Sequence, residues 1–275
     1  MPSRSESNTP VGKNPVNYIL IGVLVVAAFV IGSLYQKVKY LEKGVGNNTN
    51  VATQQGAAAQ QAQAEPTVTI DSVRSAFGKS AIKFGDSKNK LVFIEVADPS
   101  CPYCHIAAGK NAQLNKEAGA QFTLVSDGGT YVAPVVEMKK LVDSGKAAFA
   151  WLYTNGHGNG EMGTKALYCA NEKGKFWEVH DLIMNNEGYK LLNDTVRNDK
   201  TKTDDLVKFL APAINSTDLK NCLESGKFDN RLAEDTTIAG GLGVSGTPGF
   251  FVNGTKFAGA YSYKDMESAV NSALK

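Results

Sequence analysis

The chain has no dense run of lysine or arginine, and no second Cys-x-x-Cys with which a four-ligand zinc site could be built. Formal net charge is only +2, and beyond residue 65 there are 24 basic and 24 acidic residues. That balance leaves no electrostatic footprint for nucleic acid. Cysteine is scarce as well. The four present suit one reactive pair plus one structural pair in a protein held outside the cytosol. Charge is missing altogether from residues 18–35, an apolar run with Tyr18 and Tyr35 at its ends. As a helix those residues would reach about 27 Å, close to a bilayer's hydrocarbon thickness.

The run is therefore expected to be a transmembrane anchor, after a short N-terminal tail (residues 1–17) and before a flexible linker (residues 36–65). The tail is polar, with prolines at 2, 10 and 15, and the linker is rich in Gly, Asn, Gln and Ala. A cleaved signal peptide is the rival reading, but its apolar region is usually shorter and Val30-Ile31-Gly32 is a poor cleavage site. Lys37, Lys39 and Lys43 outnumber Arg4 and Lys13, which by itself leans towards a cytosolic C-terminus. Long C-terminal domains translocate largely regardless of such counts.

Residues 66–275 are expected to form the working domain, organised around residues 91–105. Residues 91–97 are apolar except for Glu95 and predict a buried strand. Asp98, Pro99 and Ser100 then break the strand and offer helix-cap chemistry. Cys101 falls at the start of the helix, Pro102 sits where a missing N–H costs nothing, and Cys104 follows one turn later. Free N–H groups at such a position stabilise a thiolate. The pair reads as a redox dithiol, with Cys101 attacking, Cys104 resolving and Glu95 as buried proton acceptor.

Other readings compete. Cys-x-x-Cys followed by His105 is also the attachment pattern of c-type haem, although a strand feeding into the motif and an acid six residues upstream favour the dithiol. Gly158-x-Gly160-x-x-Gly163 formally matches a dinucleotide fingerprint, as does Gly241-x-Gly243-x-x-Gly246. The first starts late after its strand with no parallel strand returning, and the second leads into Thr247-Pro248. Both are read as loop glycines.

With Glu95 in the strand, Cys101-Pro102-Tyr103-Cys104 after it and Gly246-Thr247-Pro248 far downstream, the chain resembles thioredoxin-fold proteins. Ala166-Leu-Tyr-Cys-Ala170 and the stretch from Gly174 to Asp181 are similar to DsbA-like thiol–disulfide oxidoreductases. The resemblance implies an α/β, thioredoxin-like fold with an inserted helical domain at about 160–239, here preceded by one N-terminal transmembrane helix. It implies a cis proline at Pro248 beside the dithiol. Thr247, Pro248, Pro102 and Tyr103 are then the residues that meet substrate, with no cofactor and no metal. The implied partners are reduced or unfolded exported proteins and a membrane redox protein that resets the dithiol. The catalytic domain would lie outside the cytoplasm at the cell membrane. Pro-Tyr also occurs between the cysteines of glutaredoxins and periplasmic isomerases, so reductase and isomerase remain alternatives to oxidase. A surface-anchored binding module is the non-enzymatic one. Cys169 and Cys222 lie in helical, apolar text and are expected to form a structural disulfide; two free buried thiols are the alternative.

Local patterns predict the remaining elements. A short strand and a helix are expected within 68–81, one helix from 101 to about 117, a short strand at 122–125, a helix over 133–144 and a second central strand at 147–154. The helical text breaks into segments at 164–173, 176–184, 204–210, 217–224 and 229–238. Phe176, Trp177 and His180 are read as packing residues. A hairpin at Asn253-Gly254 and a capping box at Ser262-x-x-Asp265 close the chain.

Overall fold

In the computed structural model, which describes residues 68–275, the two apolar runs pair in parallel, with Leu91 opposite Ala147 and Ala97 opposite Tyr153. Numbered along the chain, the strands are β1 (Ile82–Phe84), β2 (Leu91–Ala97), β3 (Ala147–Tyr153), β4 (Gly249–Val252) and β5 (Thr255–Ala258). Their order in the sheet is β1-β3-β2-β4-β5, and every pairing except β2–β3 is antiparallel. All residues of β2 and β3 are buried, as a strand covered on both faces requires.

The pleat sends alternate side chains to opposite faces. Val92, Ile94 and Val96 pack with Ala148, Ala150 and Leu152 beneath α1 (Ile70–Lys79). Phe93, Ala97, Phe149, Trp151 and Tyr153 face the other core, which also contains both dithiol cysteines. Burying a ring such as Phe93 or Phe149 contributes about 2–3 kcal/mol. Asn253 takes a left-handed conformation (φ 49°) in the β4–β5 turn, which Asn tolerates better than most residues. Its side chain accepts from Val92 N at 2.8 Å and donates to Lys90 O at 2.9 Å, fastening the hairpin to β2.

Several elements differ from the sequence expectation. Residues 68–81 contain a helix and no strand, because Thr69 and Ser72 close a capping box that starts α1 at once; the strand follows as β1. The helix expected over 101–117 is two helices, α2 (Pro102–Ala108) and α3 (Ala112–Glu117). Gly109 ends α2 at φ 66°, where a Cβ would lie 2.3 Å from that of Ala133. The strand expected at 122–125 is absent. Short 3-10 turns at Ala120–Phe122 and Val125–Asp127 flank a single bridge between Leu124 and Tyr131. α4 (Pro134–Asp143) then leads to β3.

The helical text beyond β3 folds as α5 (Glu161–Glu172), α6 (Phe176–Ile183), α7 (Asn186–Lys190), α8 (Thr203–Leu210), α9 (Ser216–Glu224) and α10 (Asp229–Gly241). α7, which continues into a π-helical turn at Leu191–Val196, has no counterpart in the expected segments. Asn185 caps it through Gly188 N at 2.8 Å. α11 (Tyr263–Leu274) begins with the Ser262–Asp265 capping box. Among the described residues no helix is long and apolar enough to cross a membrane. The tail, anchor and linker expected at 1–17, 18–35 and 36–65 lie outside the described residues, save that the working domain's first two positions do too.

Candidate active site

Cys101 is the N-cap residue of α2, Pro102 occupies its first turn and Cys104 sits one turn on. Cys101 is 5% exposed and Cys104 fully buried, and both are free thiols. Neither Asp98 nor Ser100 caps the helix, contrary to the sequence expectation; Cys101 holds the cap position with no side-chain capping bond.

The two thiols are held in opposite ways. The Cys101 pKa is lowered to about 6, chiefly because the Cys104 thiol donates to its sulfur; burial opposes this, and the Thr247 side chain and the N–H groups of Cys104 and Tyr103 assist. Cys104 is pushed well above the usual thiol range by burial first, then by donating to Cys101 and by the charge of Cys101. The Asp98 N–H, 3.4 Å from Cys104 Sγ, works against that rise.

Glu95 is fully buried in β2, opposite Trp151 on β3 and Phe250 on β4. Neither carboxyl oxygen has a hydrogen-bond partner among the described residues. Desolvation raises its pKa from 4.5 to about 8. Between those values the native state binds a proton that the unfolded chain releases, so stability falls as pH rises through the window. Glu95→Gln is therefore expected to match wild type near pH 4 and to exceed it by about 3 kcal/mol at most near pH 7. Denaturant titration at the two pH values checks this, and parallel profiles would mean that Glu95 is not desolvated in solution.

The Thr247–Pro248 peptide is cis. The Thr247 carbonyl lies 3.5 Å from Cys101 Sγ, and Pro248 O accepts from Gly259 N at 2.8 Å. A cavity of about 220 Å³ opens beside this loop, lined by residues 244–249 with Lys256, Ala258 and Gly259. Pro102 is half-buried, while Tyr103 is 50% exposed with its ring edge-on to Phe122 at 5.9 Å. Strand order thus brings Glu95, the dithiol and Thr247–Pro248 into one place. Cys169 of α5 and Cys222 of α9 are joined by a disulfide within the helical block.

His105 bears on the haem reading. Its ring is fully buried, with Nδ1 3.0 Å from Met184 O and Nε2 2.7 Å from Pro99 O. Each nitrogen is packed against a backbone carbonyl inside the fold, so neither is placed to ligate iron. Burial lowers its pKa to about 4, against the pull of the two carbonyls. His180 stacks on Phe176 and meets Trp177 edge-on in the packed face of α6. Among the described residues no cluster of His, Cys, Asp or Glu has metal-holding geometry.

The sequence reading missed how closely the Gly158–Gly163 stretch approaches the turn that leads into the dithiol. A Cβ on Gly160 would lie 1.8 Å from Asp98 Oδ1, and one on Gly163 3.3 Å from Pro99 Cβ. The glycine spacing was the available signal, since glycine marks close backbone approach whether or not a nucleotide is involved.

Relatives fit this architecture. Na(+)/H(+) antiporter NhaA 3 of Salinispora tropica is 28% identical over 193 residues, 69% of this chain, but the chain spans only 24% of that protein's length. A Rickettsia felis protein provisionally described as a protein-disulfide oxidoreductase is 22% identical over 83% of this chain and 73% of its own. The solved structure of Wolbachia pipientis alpha-DsbA1 shares the fold at a TM-score of 0.51 and 18% identity, covering 70% of this chain and 89% of that one. The family profile described as Thioredoxin matches residues 135–272, half of the chain. On that match and this strand order, the chain belongs to the thioredoxin family.

Proposed function

We propose that the protein is a thiol–disulfide oxidoreductase of DsbA type that introduces disulfides into exported proteins. The observation that carries this reading is the asymmetry of the dithiol, an acidic Cys101 beside a suppressed Cys104, next to the Thr247 carbonyl. The family membership, the DsbA-like fold and the Rickettsia relative support the enzyme class.

In the oxidising direction a substrate thiolate attacks Cys101 Sγ. A substrate–Cys101 bond forms, the Cys101–Cys104 bond breaks, and Cys104 departs with the bonding electron pair and takes up a proton, for which Glu95 is the neighbouring exchange partner. A second substrate thiolate then attacks the substrate sulfur of the mixed disulfide. The oxidised substrate leaves, and Cys101 remains as a thiolate, so two electrons have passed to the enzyme. An extended substrate segment is placed to pair with the Thr247 backbone, with Pro248, Pro102 and the exposed Tyr103 ring around it.

Magnitudes favour the oxidising direction. At pH 7 a thiol of pKa about 6 is roughly thirty times more ionised than an ordinary one, but its lower intrinsic nucleophilicity removes about tenfold of that gain. Attack by Cys101 benefits little. Stabilising the reduced, thiolate-bearing form benefits more, and that is what makes an oxidant. The Cys101–Cys104 couple is therefore expected above about −200 mV, measured by equilibration with glutathione buffers. A value near the roughly −270 mV of a reducing thioredoxin would overturn the direction.

Such an enzyme needs substrate proteins and a redox partner that reoxidises it. We place residues 18–35 in the membrane as an anchor and residues 66–275 outside the cytoplasm, on the apolar run and on the need of this chemistry for an oxidising space. Degradation of the domain by protease added to intact spheroplasts tests that placement, and protection until lysis would refute it.

A further inference from the structure

Asp98, in the turn between β2 and Cys101, is fully buried and has no part in the exchange chemistry above. Its Oδ1 accepts from the N–H and hydroxyl of Ser100 at 2.8 and 2.7 Å. Its Oδ2 accepts from the N–H groups of Gly156 and His157, both at 2.8 Å. Four donors use the full acceptor capacity of one carboxylate. The last two belong to the loop after β3, residues 155–160, and Ser100 Oγ adds another tie by accepting from Asn159 N at 3.1 Å. Glycine permits the approach on both sides of this loop. A Cβ on Gly160 would strike the Asp98 carboxylate, and one on Gly156 would lie 1.8 Å from Thr247 Oγ1. The loop is wedged between the turn that precedes Cys101 and the threonine that faces it.

The same residue offers its backbone N–H to Cys104 Sγ. The titratable groups that bear on that sulfur, Cys101 and Glu95, both disfavour its thiolate, so the N–H is the contact that relieves it. We propose that Asp98 is a positioning residue for thiol exchange, its carboxylate locking residues 98–100 to the 155–160 loop so that its own N–H stays on the Cys104 sulfur. This role rests on the oxidoreductase reading. When an outside thiolate attacks Cys101, Cys104 leaves with the electron pair of the broken S–S bond. When the Cys104 thiolate attacks a mixed disulfide, it forms that bond again and the outside thiolate leaves with its own pair. In both directions charge on Cys104 faces Asp98 N–H.

Asp98→Asn preserves size but, whichever way the amide turns, puts an amino group in place of an acceptor oxygen and against at least one N–H donor. The test is the rate at which Cys104 releases glutathione from a mixed disulfide formed at Cys101, together with the pH midpoint of Cys104 alkylation in a Cys101→Ser background. D98N is expected to slow release about tenfold, a loss of the size a disrupted hydrogen bond produces. The Cys104 midpoint should rise by about one pH unit, whereas the Cys101 midpoint, read in a Cys104→Ser background, should stay in place. A structural defect alone would lower the melting temperature without moving the Cys104 midpoint, and that result overturns the proposal. If D98N fails to fold, Ser100→Ala removes a hydroxyl bonded to both Asp98 and the loop; it should shift the same two readings in the same direction, and unchanged readings overturn the proposal. A wild-type protein that resolves no mixed disulfide overturns the oxidoreductase reading and this role with it. A competent wild type beside an unaltered D98N overturns the role of Asp98 alone.

Discussion

Cys101→Ser is expected to abolish disulfide transfer to a reduced, unfolded protein, a loss on the order of a thousandfold or more, since a hydroxyl cannot form the mixed disulfide. Thiolate absorbance gives the independent reading. Wild-type reduced protein should show a transition near pH 6, assigned to Cys101, and the serine variant should lose it. Cys104→Ser should keep an ionising Cys101, since a hydroxyl can still donate to its sulfur, and should accumulate mixed disulfides that nothing resolves. A transition near pH 6 that survives in Cys101→Ser and disappears in Cys104→Ser would reverse the two roles. Each variant replaces one sulfur atom and leaves the backbone-to-backbone bonds of the helix start in place, so a loss of transfer in a folded variant reports on catalysis.

Replacing Cys169 and Cys222 together with alanine should produce the largest loss of stability. Their bridge joins α5 to α9 across a sequence separation of 53 residues. Closing a loop of that size lowers the entropy of the unfolded chain by about 4 kcal/mol at 25 °C in the chain-entropy account. For a domain of this size the melting temperature should fall by roughly 8–16 °C. Cys169 is buried in the core of the helical block and Cys222 packs against that core half-buried, so the effect belongs to stability. The Cys101 titration of the folded variant should be unaltered. Parallel thermal melts of oxidised wild type and double variant decide it, and melting temperatures within about 2 °C would show that the bridge constrains the unfolded chain far less than this account requires.

The parts of the fold that local chemistry determines were legible in the sequence. β3 is apolar throughout and β2 apolar but for Glu95, because both faces of each strand are covered, and Asn253-Gly254 and Ser262-x-x-Asp265 act within four residues of themselves. The dithiol was legible for the same reason, since Cys101, Pro102 and Cys104 share one short segment. Tertiary causes hid the rest. Gly109 breaks the helix where Ala133, from another element, comes close. Asp98 carries the chemistry of a helix cap, yet two of its donors lie 58 and 59 residues away. Nothing near His105 in the sequence announces that its two nitrogens will face the Pro99 and Met184 carbonyls. α7 and its π-helical turn escaped detection because Asn185-Asn-Glu-Gly188 reads as a loop, although Asn185 and Gly188 together start the helix.

The pairing of β2 with β4 has a consequence for the order of events during synthesis. Phe93 lies opposite Val252 and Val96 opposite Gly249, so the strand bearing Glu95 meets β4, the second of its two neighbours, only after the whole helical block has been made. Closing so long a loop costs about 2–3 kcal/mol more than closing a ten-residue one, and contacts this distant form slowly. A chain emerging N-terminus first exposes Cys101 and Cys104 well before Gly246, Thr247 and Pro248 exist. For that interval the nascent polypeptide carries a dithiol without the carbonyl, loop and strand that later enclose it. Enclosure of the dithiol therefore waits on Thr247, Pro248 and β4, and maturation of the site is timed by the synthesis of that distant segment.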